Sequence, residues 1–273
     1  MNDSDHYRHK KNRFDNMLTI YGRKPVLEAL EDSSIPIYAI HLADSNKRAP
    51  VLEQIEQLAQ QRSIEIQYTD KRSLSRISRN SKQDQGVAAD LALAGYQQLS
   101  SFLDTYKAQT NDRFLAVDNV SNPQNLGMII RSAAAAGIRG LVIPNQGSAA
   151  IGPLVIKASA GAIFKCPIIR CEQLADAISE LKNRGVAIAS LSMEHSYQKD
   201  NNQKNNQQSL SLFDLVKQAP QPTLFVLGNE SEGVSDKTQA QADFNVFIPM
   251  SNQVESLNVA VTAALIAFAS YSS

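Results

Sequence analysis

The sequence has no tryptophan, only two cysteines and no surplus of charge: 27 Lys and Arg stand against 27 Asp and Glu in 273 residues. Each lack excludes something. Cys166 and Cys171 are too few for a disulfide framework, and no CxxC or HxxxH spacing accompanies them to form a metal site. That usage fits a reducing, cytoplasmic compartment. No apolar run reaches the roughly 20 residues of a membrane-spanning helix. The opening MNDSDHYRHKKNRFDN lacks the apolar core of a signal peptide, which argues against export. The balanced charge gives no compositional hint of a polyanionic partner. What is present is 43% apolar residues, enough for one large domain or two of common size.

Residues 1–16 are polar and without period, and read as a disordered tail. A first domain is expected over residues 17–95. Val26, Leu27 and Leu30 recur at helical spacing, predicting a helix between Gly22 and Asp32. Residues 37–42 read as a short apolar strand, and Val51, Leu52, Ile55 and Leu58 mark an amphipathic helix. Residues 64–66 alternate as a strand, and 86–91 close the unit as another. Between those two strands lie Lys71, Arg72, Arg76, Arg79 and Lys82 with no acid among them, anchored by Leu74 and Ile77. Such a run is a solvated helix face or a phosphate-contacting patch, and composition alone does not choose.

Residues 96–112 are expected to be a linker or linking helix, and 113–273 a second domain. There, apolar strands at 114–117, 141–143, 186–191, 223–227 and 244–248 alternate with helices at 128–136, 174–181 and 257–271. This is α/β architecture with a parallel sheet covered on both faces. An insertion rich in Asn and Gln, at 198–208, cannot bury anything and reads as a surface loop.

Open α/β sheets bind ligands beyond the carboxyl ends of their strands. Three loops there are heavily loaded: DNVSNPQNLG at 118–127, leading to Arg131; LGNESEG at 227–233; and IPMSNQVESLN at 248–258. Familiar nucleotide signatures fail in them. Gly228 and Gly233 have phosphate-loop spacing, but Val234 and Ser235 follow where Lys and Ser or Thr are needed. No G-x-G-x-x-G follows a strand and no G-x-S-x-G elbow occurs, which sets aside kinase, dehydrogenase and serine-hydrolase chemistry.

Together these loops resemble the three motifs of the SpoU/TrmH family of RNA ribose 2'-O-methyltransferases, in the SPOUT superfamily. They read VDNVSNPQNLGMIIRSAAAAG, LFVLGNESEG and IPMSNQVESLNVAVTAA, in order, with KASAGAIFKCPI similar to the segment between the first two. YGRKPVLEAL and QGVAADL are similar to the boundaries of the family's small substrate-binding domain, which has a ribosomal-protein-like RNA-binding fold. That domain is typical of the branch that methylates a guanosine of 23S rRNA.

The resemblance implies a C-terminal domain tied in a trefoil knot, a homodimer, and RNA as partner, with neither a metal nor a membrane. S-adenosylmethionine would be held by Leu227, Gly228, Asn229, Ile248, Met250 and Leu257, with Gly228 letting the backbone approach it. Arg131, Asn125, Glu230, Ser256 and Asn258 would serve catalysis, Asn125 by orienting Arg131 or the ribose. Arg23, Lys71, Arg72, Arg76, Arg79 and Lys82 would contact RNA. The chain departs from the family at Asn122, usually Asp, at Ser231 and Asn252, usually Gly, and at Ala260, often Ser. Alternatives are a tRNA ribose methyltransferase, a resistance-type rRNA methyltransferase, or an RNA-binding or assembly factor without transfer activity.

Overall fold

The computed structural model describes residues 17–269 except 34, 79–80, 93–95, 193–207, 218–220 and 230. The chain forms two compact units, the first taking residues up to Gly95 together with Ile151–Pro153 and the second Tyr96–Ala150 together with the residues from Leu154 onward.

The first unit runs β1 (Met17–Tyr21), α1 (Arg23–Glu31), β2 (Ile37–Ala43), α2 (Pro50–Gln61), β3 (Glu65–Thr69), α3 (Lys71–Ser78) and β4 (Val87–Ala92). Its sheet has the order β1-β4-β2-β3, with β4 antiparallel to both neighbours and β2 parallel to β3. Register puts Leu18 beside Leu91, and Ile20 and Ile40 on either side of Ala89, so one face is continuously apolar and buried. On the other face Asp90 is buried but satisfied: His41 Nε2 lies 2.8 Å from its Oδ2, and Thr19 Oγ1 donates to Oδ1 at 2.6 Å. Asp70 starts α3 by accepting from the amides of Arg72 and Ser73, at 2.9 and 3.0 Å. The Ser73 hydroxyl, donating at 2.6 Å, holds the Asp70 carboxyl below the usual carboxylate range.

The second unit begins with β5 (Tyr96–Gln98) and α4 (Leu99–Thr105), then β6 (Arg113–Val117), α5 (Pro123–Ala135) and β7 (Gly140–Pro144). It continues through α6 (Pro153–Ala158), a 3-10 turn (Ala162–Phe164), β8 (Ile168–Cys171), α7 (Leu174–Lys182) and β9 (Ala187–Leu191). It closes with β10 (Gln208–Ser211), α8 (Leu212–Lys217), β11 (Thr223–Leu227), α9 (Asp236–Gln239), β12 (Phe244–Phe247) and α10 (Val259–Ala269). The eight strands are ordered β10-β12-β9-β11-β6-β7-β8-β5, and every pairing is parallel. β7 and β11 are buried at every residue, as strands covered on both faces must be.

Residues 96–112 are not a plain linker. β5 pairs with β8 at the sheet edge, and Phe102 and Tyr106 stack at 4.9 Å against the edge of Phe114 in the core. α5 starts at Pro123 rather than 128, because Asn122 caps it and Pro123 fits its first turn. α10 begins at Val259 rather than 257 and is described as far as Ala269; residues 270–271 of the expected helix lie outside the described residues. The short elements β8, β10, α6 and α8 were not expected. The insertion at 198–208 lies outside the described residues except for Gln208, which opens β10. No helix among the described residues is long and apolar enough to cross a membrane.

Candidate active site

A parallel sheet sends all its carboxyl ends to one rim. The loaded loops leave that rim after β6, β11 and β12. In the order β12-β9-β11-β6 the second and third loops flank the end of β9, roughly 10 Å apart by strand spacing, and the first adjoins the second.

Asn122 Oδ1 accepts from the amides of Gln124 and Asn125, at 2.8 and 3.3 Å, so Asn replaces Asp here without losing the cap. From α5, Leu126, Ile129, Ile130 and Ala133 are buried, while Gln124, Met128, Arg131 and Ala135 form an exposed face. Arg131 makes no hydrogen bond or ion pair among the described residues. Its neighbours Ile129 and Ile130 turn inward instead of flanking it. Gly127 lies under α6: an added Cβ would sit 2.5 Å from the Ala158 Cβ and 2.7 Å from the Val155 carbonyl oxygen.

Asn125, six residues before Arg131, points inward and is 7% exposed. Its Oδ1 accepts from Asn258 Nδ2 at 3.2 Å. Asn258 Oδ1 accepts from the amide of Ala260 at 2.8 Å, capping α10. One amide side chain therefore starts the last helix and ties the third loop to the first.

The loop after β11 closes on itself. The Asn229 amide donates to the Gly233 carbonyl and the Gly233 amide to the Asn229 carbonyl, both at 2.9 Å. A Cβ on Gly228 would strike the backbone of Gly233 and Val234, so the loop's own fold already demands glycine here. The Ser231 amide donates to Asn229 Oδ1 at 2.8 Å, and Ser231 has no positive φ, which accounts for a side chain being accommodated there. Glu230 lies outside the described residues. In the third loop Asn252 has a φ of 58°, the left-handed conformation for which Asn is suited. Gln253 follows at 60°, which the sequence did not announce. Ser256 is exposed.

Leu227 is buried, and Gly228, Asn229, Ile248, Met250 and Leu257 are half-buried. The amides of Gly228, Met250 and Leu257 make no backbone hydrogen bond among the described residues. Free backbone groups beside partly uncovered apolar side chains fit a nucleoside, which offers a flat base to the latter and polar edges to the former. Among the described residues no three His, Cys, Asp or Glu side chains cluster closely enough to hold a metal. Burial pushes both the Cys166 and Cys171 thiols up to about 12, so neither is poised as a nucleophile.

In the first unit Lys71, Arg72 and Arg76 project from α3 into solvent and Lys82 from the turn beyond, while Arg79 lies outside the described residues. Arg23 differs: its guanidinium donates to the Gln85 carbonyl at 3.3 Å and to Asn46 Oδ1 at 3.4 Å, joining loops of its own unit. Sequence reasoning passed over Asp118 and Ser235, which bond to each other beneath the second loop. Only their distance in sequence hid them.

A family model described as the SpoU rRNA Methylase family matches residues 112–268. Another, for RNA 2'-O ribose methyltransferase substrate binding, matches residues 19–97. YacO of Bacillus subtilis (strain 168), named as a TrmH family tRNA/rRNA methyltransferase, is 31% identical over 256 residues, 92% of this chain and 94% of that protein. A Staphylococcus saprophyticus protein of the same description is 33% identical over 252 residues, with 92% and 94% covered. The AdoMet-bound rRNA methyltransferase from Sinorhizobium meliloti superposes with a TM-score of 0.57 at 22% identity, covering 97% of this chain and 89% of that one. AviRb from Streptomyces viridochromogenes, a SpoU methyltransferase in complex with AdoMet, gives 0.56 at 21% identity, with 98% and 92% covered. At such identity the likeness is one of fold.

Proposed function

The chain belongs to the SpoU rRNA methylase family, and from that premise we propose that it transfers a methyl group from S-adenosylmethionine to a ribose 2'-hydroxyl, in a guanosine of 23S rRNA. The observation that carries the reading is the Asn125–Asn258 bond, which joins the first and third motifs on the rim where the second also emerges.

The cofactor supplies, when bound, a methyl group activated by its sulfonium. Leu227, Gly228 and Asn229 would flank it on one side, and Ile248, Met250 and Leu257 on the other. The amides of Gly228, Met250 and Leu257, unbonded among the described residues, and the apolar side chains of Ile248, Met250 and Leu257 would make the contacts. Arg131 does not act as the base, because a guanidinium keeps its proton in proteins. Exposed and without a partner among the described residues, it suits a fork on a nucleotide phosphate and on the ribose oxygen as negative charge develops there. A phosphate oxygen of the substrate or Glu230 takes the proton. Asn258 keeps the third loop in register with the helix that carries Arg131, and Ser256 faces the substrate.

The proposal includes the trefoil knot, action in the cytoplasm, and phosphate contacts from Lys71, Arg72, Arg76 and Lys82. It also includes a homodimer. On α10, Val261, Leu265 and Phe268 stand at i, i+4 and i+7 and are 38–48% exposed. Met128 of α5, against which α10 packs, is 41% exposed. Apolar stripes of this kind mark surfaces that another chain covers.

The test is to incubate the protein with S-adenosylmethionine labelled in its methyl group and total RNA, then digest and map the label. Label in 2'-O-methylguanosine of 23S rRNA is expected. Label confined to tRNA would move the target, and RNA binding without ribose label would reduce the chain to a binding factor.

A further inference from the structure

We infer that Asp118 is a positioning residue for the cofactor: it holds the loop after β11 in the shape that receives S-adenosylmethionine. The inference rests on the reading of that loop given under the proposed function.

Asp118 directly follows β6 and is 6% exposed. Its Oδ2 accepts two hydrogen bonds from Ser235, from the amide at 2.9 Å and from the hydroxyl at 2.7 Å. Its own amide donates to the Leu227 carbonyl at 2.8 Å. The carbonyl of the next residue, Asn119, accepts from Asn229 Nδ2 at 3.0 Å. Two adjacent residues thus grip the loop where it leaves the sheet, at its first turn and at its exit. Asn119 Nδ2 occupies the remaining carboxylate oxygen at 3.1 Å. The exit is itself fixed, because Ser235 is the N-cap residue of α9 and its hydroxyl also bonds Thr238 Oγ1 at 3.1 Å.

A buried carboxylate with no cation beside it is costly unless hydrogen bonds compensate it. Asp118 makes no ion pair among the described residues, and its compensation comes from Asn119 and from the far end of the loop. Bonds to an ionised acceptor are roughly twice as strong as neutral ones, so the acid adds to the stiffness that the Asn229–Gly233 bridge, the Asn229–Asn119 bond and the Ser231–Asn229 bond give the segment. A loop ordered in advance does not spend binding energy on being ordered by its ligand.

The experiment measures binding of S-adenosylmethionine and S-adenosylhomocysteine by calorimetry on the full chain. Native protein is compared with Asp118→Ala, Asp118→Asn, Ser235→Ala and the double alanine variant, alongside RNA affinity and thermal unfolding. Asp118→Ala should weaken the cofactor about tenfold or more, the scale of lost charge-assisted bonds. Asp118→Asn, which keeps an acceptor, should restore part of this. The double variant should bind no more weakly than Asp118→Ala alone, because both changes remove one interaction. RNA affinity should stay within about twofold, since these bonds do not touch the phosphate-contacting residues. Native-like cofactor affinity in the variants overturns the inference. So does a parallel fall in cofactor affinity, RNA affinity and melting temperature that Asn does not relieve, which would mark a purely structural residue. Should Asp118→Ala not fold, Ser235→Ala decides alone, and native-like affinity there sinks the idea. A native chain that binds no cofactor would overturn the proposed function and this inference together, whereas a binding native chain with unaffected variants overturns the inference only.

Discussion

Gly127→Ala sets helix propensity against packing. In the middle of α5, alanine gains roughly 1 kcal/mol over glycine from the smaller backbone entropy lost on folding. Against this, the new methyl would lie 2.5 Å from the Ala158 Cβ, 2.7 Å from the Val155 carbonyl oxygen and 3.0 Å from the Ser159 amide nitrogen. Ordinary carbon contacts are about 3.5–4.0 Å, so α5 and α6 must separate by on the order of 1 Å. Two of the three obstructing atoms are backbone and cannot rotate away. Overpacking of this kind costs about 1–3 kcal/mol, and the opened interface loses dispersion contacts as well. Packing wins, by about 1–2 kcal/mol net. At about 2–4 °C per kcal/mol for a unit of this size, calorimetry should show the melting transition of the second unit falling by about 2–8 °C. Arg131 sits one turn beyond Gly127, so turnover should fall further than cofactor affinity. A melting temperature equal to or above that of the native chain would refute the reasoning, because propensity would then outweigh the clash.

Arg131→Ala should lower methyl transfer to RNA by about 100-fold or more while leaving S-adenosylmethionine binding intact. Single-turnover kinetics would measure it, and a loss of only a few-fold would end Arg131's assignment. Five exposed cations, Lys71, Arg72, Arg76, Lys82 and Arg131, imply a plot of log affinity for RNA against log salt with a slope of about −3.5 to −4.5. A slope near that of ten phosphate contacts would contradict this footprint. Cys166 and Cys171, pushed up to about 12 by burial, should resist iodoacetamide in the native protein at pH 8 and react once it is unfolded. Because their thiols hold protons more tightly when folded, stability should be fully present below pH 9 and decline as pH rises toward 12, which denaturant titrations across that range would detect. Asn122→Ala should cost about 1 kcal/mol by removing the cap of α5, and an unchanged denaturation midpoint would deny Asn122 that role.

The parts of the fold that could be read in the sequence are those where burial forces a pattern. Residues 114–117 and 224–227 are continuously apolar because both faces of their strands are covered. β10, QSLS, has no such pattern, because an edge strand buries less and its pairing with β12 supplies what its residues do not. Residues 96–98 were obscured for the same reason: Tyr-Gln-Gln takes its place from β8 across about 70 residues of chain. At the site, the motif loops could be located but not their internal economy. The partner of Asn258 is 133 positions away and that of Ser235 is 117. Gly228 could be read as making room for a ligand, but its close approach to Gly233 and Val234, five and six residues on, could not be read.

The uniform direction of the eight strands has a practical consequence. It gives the second unit one chemical rim and, at the amino ends of the strands, another that includes short connections such as Gly137–Arg139 before β7 and Asn183–Gly185 before β9. Asn183, Arg184 and Gly185 are exposed there. A fluorophore, affinity handle or inserted reporter can be fitted at that rim, a full strand length of about 17 Å from the loops that would hold cofactor and nucleotide.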